Sequence, residues 1–84
     1  PLKFTFKEQK EFETIDSVIE DIENKIKNIN FKINDSSSDY EKLEKLVNEK
    51  NSLQKELDEK TDRWVYLNDL NEKIEENRKS RFQC

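Results

Sequence analysis

Carboxylates are the most abundant reactive groups in this chain, and some stand side by side, as in Asp58-Glu59 and Glu75-Glu76. Two carboxylates do general acid–base work when they converge on one reacting atom and their environments hold their pKa values apart. Neighbours on a helix point about 100° apart, and both pairs fall in helical stretches, so they diverge into solvent. With no histidine and a single cysteine, Cys84 at the last position, imidazole chemistry and His/Cys metal sites are excluded. The chain contains no glycine, so the phosphate-cradling G-x-x-x-x-G-K-[ST] loop cannot occur in it. No catalytic residue, cofactor site or metal site is expected.

The remaining chemistry is ionic binding and stacking. Lys3, Lys7 and Lys10 cluster near the start, and Arg78, Lys79 and Arg81 lie near the end, with no acidic residue after Glu76. The formal net charge is −4, so a general basic field is absent and any nucleic-acid contact has to be local. These two groups read either as ordinary solvated termini or as phosphate-contacting residues. The aromatic residues Phe4, Phe6, Phe12, Trp64 and Tyr66 also have two readings. One is a small apolar core with Phe12 and Trp64 inside. The other is a base-stacking platform, for which Tyr66, off the apolar seam, is the candidate. The candidate nucleic-acid contacts are therefore Lys3, Lys7, Lys10, Arg63, Tyr66, Arg78, Lys79 and Arg81.

Positioning these residues falls to two amphipathic helices. Phe12, Ile15, Ile19, Ile22, Ile26, Ile29 and Ile33 recur at alternating spacings of three and four. That is a heptad seam with Ile19, Ile26 and Ile33 at a and Ile15, Ile22 and Ile29 at d. Leu43, Leu46, Lys50, Leu53, Leu57, Lys60, Trp64, Leu67, Asn71 and Ile74 continue it in a new phase. The phase slips within Asn34-Asp35-Ser36-Ser37-Ser38-Asp39, where every residue competes for backbone hydrogen bonds and favours a turn. The expected fold is all-α: an antiparallel two-helix coiled-coil hairpin, with helices over about 6–34 and 39–79, a loop over 34–39, and a short N-terminal helical segment packed at the open end. Capping boxes are legible at Thr5/Glu8, Ser17/Glu20 and Ser38/Glu41. The middle one leaves open a break near 14–16.

An antiparallel pair brings both basic groups to one end, with Arg63 nearby. Matching a to d gives Ile29–Leu43, Ile26–Leu46, Ile22–Lys50, Ile19–Leu53, Ile15–Leu57 and Phe12–Lys60. Lys25 then faces Glu49, Glu11 faces Arg63, and Lys32 faces Lys42. Lys50 and Lys60 can run their methylenes along the seam with their ammonium groups in water. Both seams are satisfied within one chain, so a monomer is expected. No run of 18 apolar residues crosses a membrane, and no charged-then-apolar leader is visible.

The run Leu2-Lys3-Phe4-Thr5-Phe6-Lys7-Glu8-Gln9-Lys10-Glu11-Phe12-Glu13 resembles the K-L-[ST]-[YF]-K-E-Q-[RK]-E opening of the C-terminal domain of Uup-like ABC-F ATPases. Asp39-Tyr40-Glu41-Lys42-Leu43 is similar to the D-Y-x-K-L start of that domain's second long helix, and Arg63-Trp64-Val65-Tyr66-Leu67 to its R-W-x-x-L ending. The three matches come in the family's order and spacing. Thr14-Ile15-Asp16 departs from it, standing where many relatives have a proline or a leucine–glutamate pair. The resemblance implies a parent with two tandem ATP-binding cassettes, which would hold ATP and Mg, and no membrane domain. It implies action on ribosomes in translation, in some members protecting them from antibiotics, and a tail domain linked to nucleic-acid binding. The expected function is a non-catalytic accessory domain that associates with nucleic acid or the ribosome, in the cytoplasm or an organelle. The alternative is a purely structural coiled coil for protein docking or oligomerisation. Pro1 at the start, without a methionine, fits a piece of a larger ATPase.

Overall fold

The computed structural model describes residues 2–36 and 38–82, with side chains described through Lys79. Two helices, α1 (Phe6–Asp35, 30 residues) and α2 (Tyr40–Phe82, 43 residues), pack against one another in an all-α hairpin. The molecule is a rod of 68 × 18 × 15 Å. Its radius of gyration is 19.0 Å, against about 12 Å for a compact globule of this length.

Each boundary has a local cause. Thr5 caps α1 with both halves of its box formed: Glu8 N–H donates to Thr5 Oγ1 at 3.1 Å, and Thr5 N–H donates to Glu8 Oε1 at 2.9 Å. The expected N-terminal helical segment is the first turns of α1 itself, preceded by non-helical residues 2–5. α1 runs unbroken through 14–16, where Thr14 Oγ1 donates to Lys10 O at 3.2 Å instead of initiating a new helix. At the turn, Ser36 N–H donates to Ile33 O and Asp39 N–H to Ser36 O. Asp39 Oδ1 accepts from Lys42 N–H at 3.2 Å, so Asp39 starts α2 where a Ser38/Glu41 box was expected. Its carboxylate is the better acceptor for that amide.

Ile15, Ile22, Ile29, Leu46 and Leu67 form the buried core, while Phe12, Ile19, Ile26, Leu43, Leu53 and Leu57 are half-buried. Full burial of such a side chain contributes about 1.5–3 kcal/mol, so these layers carry most of the hairpin's stability. Trp64 departs from the expected interior. It is 39% exposed at the rim of the seam, and its indole N–H donates to Asp16 Oδ1 at 2.7 Å.

The register also differs from the expected one. Ile29, with Lys25, Asn28 and Lys32, lines a groove with Glu49 and Leu53. Ile26 lines another with Gln54 and Leu57. The anticipated partners Leu43 and Leu46 lie six to eleven residues earlier on α2 than the residues lining these grooves. Sliding the pairing by one heptad restores a–d layers as Ile33–Leu46, Ile26–Leu53, Ile22–Leu57, Ile15–Trp64 and Phe12–Leu67. A heptad pattern is unchanged by a seven-residue slide, so periodicity cannot choose between the two registers. Ends and flanks can. The slide takes Lys32 from beside Lys42 to the groove shared with Glu49. It also takes Phe12 from Lys60 to Leu67, which is fully buried. Lys25 pairs with Asp21 on its own helix at 3.4 Å rather than with Glu49.

Candidate functional site

The open end of the rod is held by a polar network between the helices. Arg63 Nε donates to both carboxylate oxygens of Glu11, at 3.0 and 2.9 Å. The Arg63 guanidinium lies over the Tyr66 ring, 4.7 Å from its centroid. Tyr66 Oη donates to Glu8 Oε2 at 2.9 Å, so Glu8 serves the cap and the interhelical contact together. Beneath this network Phe4 packs on Phe12, with ring centroids 5.1 Å apart and planes tilted by 33°. The apolar closure of this end therefore rests on Phe4, Phe12 and Leu67, with Trp64 outside it.

Electrostatics follow from these contacts. The Glu8 carboxyl is held below the usual carboxylate range by the Thr5 backbone hydrogen bond first, then by the Tyr66 hydroxyl, with the Arg63 charge adding. Tyr66 is raised above the ordinary tyrosine value because its hydroxyl proton bonds Glu8 and its anion would face that carboxylate. A lowered Glu8 contributes stability that is complete above the ordinary glutamate range and is lost as pH falls through the folded value. A raised Tyr66 contributes stability that is complete below the ordinary tyrosine range and is lost as pH rises through the folded value. The melting temperature is thus expected to be flat near neutrality and to fall at both extremes. Tyr66→Phe should remove much of the alkaline fall, and Glu8→Gln should shrink the acid one. Thermal melts of the three proteins across pH check this, and an alkaline limb unchanged in Tyr66→Phe would count against the linkage.

The candidate binding residues divide into two kinds. Arg63 and Tyr66 come together but are engaged inside the hairpin. Lys10 lies 5.5 Å from the Phe6 ring centroid, and Arg78 Nη1 is 3.6 Å from Glu75 Oε1. Lys3, Lys7 and Lys79 are exposed, and no ion pair among the described residues engages them. The side chain of Arg81, and Cys84 altogether, lie outside the described residues. No contact among the described residues joins the lysines of α1 to Arg78 or Lys79. Sequence reasoning found the Glu11–Arg63 pair as flanking residues of the seam, but it missed Asp16 as partner of Trp64, because that contact depends on the register. It also missed Glu8 as partner of Tyr66, since the capping box already accounted for Glu8.

Among the described residues, no group of histidine, cysteine and carboxylate side chains could hold a metal ion, and no helix is long and apolar enough to cross a membrane. What this end offers is exposed cations on both helices. No curated protein and no solved structure matches the chain. A family model described as ABC transporter C-terminal domain matches residues 3–69, which takes in the cap, all of α1, the turn and α2 as far as Asp69. A match over that much of the chain places it, as an accessory part of an ABC protein, in the family of ABC transporter C-terminal domains.

Proposed function

We propose that this domain is non-catalytic, that its parent is a Uup-like ABC-F ATPase acting in the cytoplasm, and that its open end contacts nucleic-acid phosphates, as on the ribosome. The supporting observation is the exposure of Lys3 just before α1, of Lys7 and Lys10 in its first turns, and of Arg78 and Lys79 near the end of α2. On a chain of net charge −4, attraction to a polyanion has to come from such local cations. ATP and Mg belong, in this reading, to cassettes elsewhere in the parent.

Binding to short RNA and DNA duplexes and to ribosomes, measured at two salt concentrations, tests this. Phosphate contacts predict a log–log decline of affinity with salt, of slope about −0.9 per neutralised phosphate on duplex DNA. Salt-independent binding would favour the second reading, a protein-docking coiled coil. That reading draws on Phe31 and Tyr40 near the turn, which are 61% and 83% exposed.

A further inference from the structure

Tyr66 is poorly placed to stack on a base. One face of its ring is taken by the Arg63 guanidinium, and its hydroxyl donates to Glu8. Phe6 stands otherwise. It is the first residue of α1 and is 81% exposed, while Phe4, two residues before it, packs inward on Phe12. A lone exposed apolar side chain is ordinary on a protein surface. The cations around this one set it apart. Lys10, one turn further on, holds its ammonium 5.5 Å from the ring centroid. Lys7 follows Phe6 directly and Lys3 precedes the cap, and both are exposed. Two other exposed aromatic residues lack this setting. Tyr40 stands between Asp39 and Glu41, and Phe31 has Lys27 one turn before it but Asp35 one turn after it.

We infer, given that the open end contacts phosphates, that Phe6 is the platform on which an unpaired nucleobase stacks, with the phosphates beside that base held by Lys3, Lys7 and Lys10. The preferred ligand is then single-stranded nucleic acid. A base inside a duplex is covered on both faces by its neighbours, so an unpaired or terminal one has to supply the contact. The recognition is in the side chains and not in the backbone of this turn, because Glu8 N–H and Gln9 N–H both donate to Thr5. Both halves of the Thr5–Glu8 box also hold the backbone that presents the ring. From Glu11 to Glu23, α1 carries six carboxylates and no cation. Phosphates are repelled along that stretch, which confines the contact on α1 to a few nucleotides at its start.

The test uses the whole chain and two probes: an oligothymidylate, and an all-abasic oligomer of the same length that keeps the phosphates and lacks the bases. The unaltered protein should bind the first about tenfold more tightly, the scale of one base–aromatic stack. Phe6→Ala and Phe6→Leu should bind both probes alike, with the salt slope unchanged because no charge is removed. Phe31→Ala should keep the preference. Circular dichroism should be the same for all, since Phe6 contributes to no buried layer. A preference for bases that survives in both Phe6 variants would overturn the inference, and so would an equal loss in Phe31→Ala. If Arg78→Glu with Lys79→Glu still weakens both probes in that case, the phosphate contacts stand without the stack. Failure of the unaltered protein to bind either probe would remove the phosphate contacts and the stack together.

Discussion

Ile22→Asp is expected to unfold the hairpin, while Ile19→Asp, one turn away, leaves most of its helicity. Ile22 is 3% exposed and, in the pairing slid by one heptad, falls opposite Leu57, so a carboxylate there has no cation and no water. Removing a buried isoleucine costs about 2–5 kcal/mol before any charge is counted. The whole stability of so small a core is about 3–5 kcal/mol. Ile19 is half-buried and in the same pairing falls opposite Lys60, which can pair with the new carboxylate, so its penalty should be about half as large. Chemical denaturation monitored by circular dichroism compares the two directly. The reverse order would mean that Ile19 faces Leu53 and Ile22 faces Lys50, the register the structure does not adopt.

Charge reversal at the open end should have the largest effect on binding. Arg78→Glu with Lys79→Glu removes two cations from the exposed face of α2 and leaves every apolar layer in place. Affinity for a nucleic-acid duplex should fall at all salt concentrations, and the salt slope should drop by about two, one for each phosphate no longer neutralised. Lys7→Glu with Lys10→Glu should act in the same direction. Lys27→Glu with Lys45→Glu, exposed but away from this end, should change little. An equal loss from all three pairs would indicate attraction spread over the rod. No loss from the first two would remove the phosphate reading and leave protein docking.

The heptads made the hairpin itself legible. Seven apolar residues at spacings of three and four, a polar reversal and a change of phase permit little else. The capping box at Thr5 was readable to the atom, because it depends on four consecutive residues and on nothing distant. Register was not readable, because a repeat matches itself after every seven residues. The information that fixes it lies outside the repeat, in Trp64 with Asp16 and in the proximity of Lys32 to Glu49. A different limit applied to the site. Arg63 and Tyr66 were chosen as outward groups from their chemical type. Arg63 already had Glu11 across from it in the expected pairing, and Tyr66 bonds a Glu8 whose carboxylate the capping box had seemed to use up.

α2 exceeds α1 by 43 residues to 30, and much of the surplus extends past Phe6, where no turn of α1 lies alongside. A helix of so few unsupported residues is near the point where coil and helix are equally favoured in water. The amides of α1 and the paired part of α2 should exchange hydrogen only through opening of the whole hairpin, whereas those beyond Ile74 should exchange through fraying alone. Arg78 and Lys79 are carried on that fraying stretch. A partner that gathers them would add helix as it binds, so its association should show a favourable enthalpy opposed by an entropy of ordering.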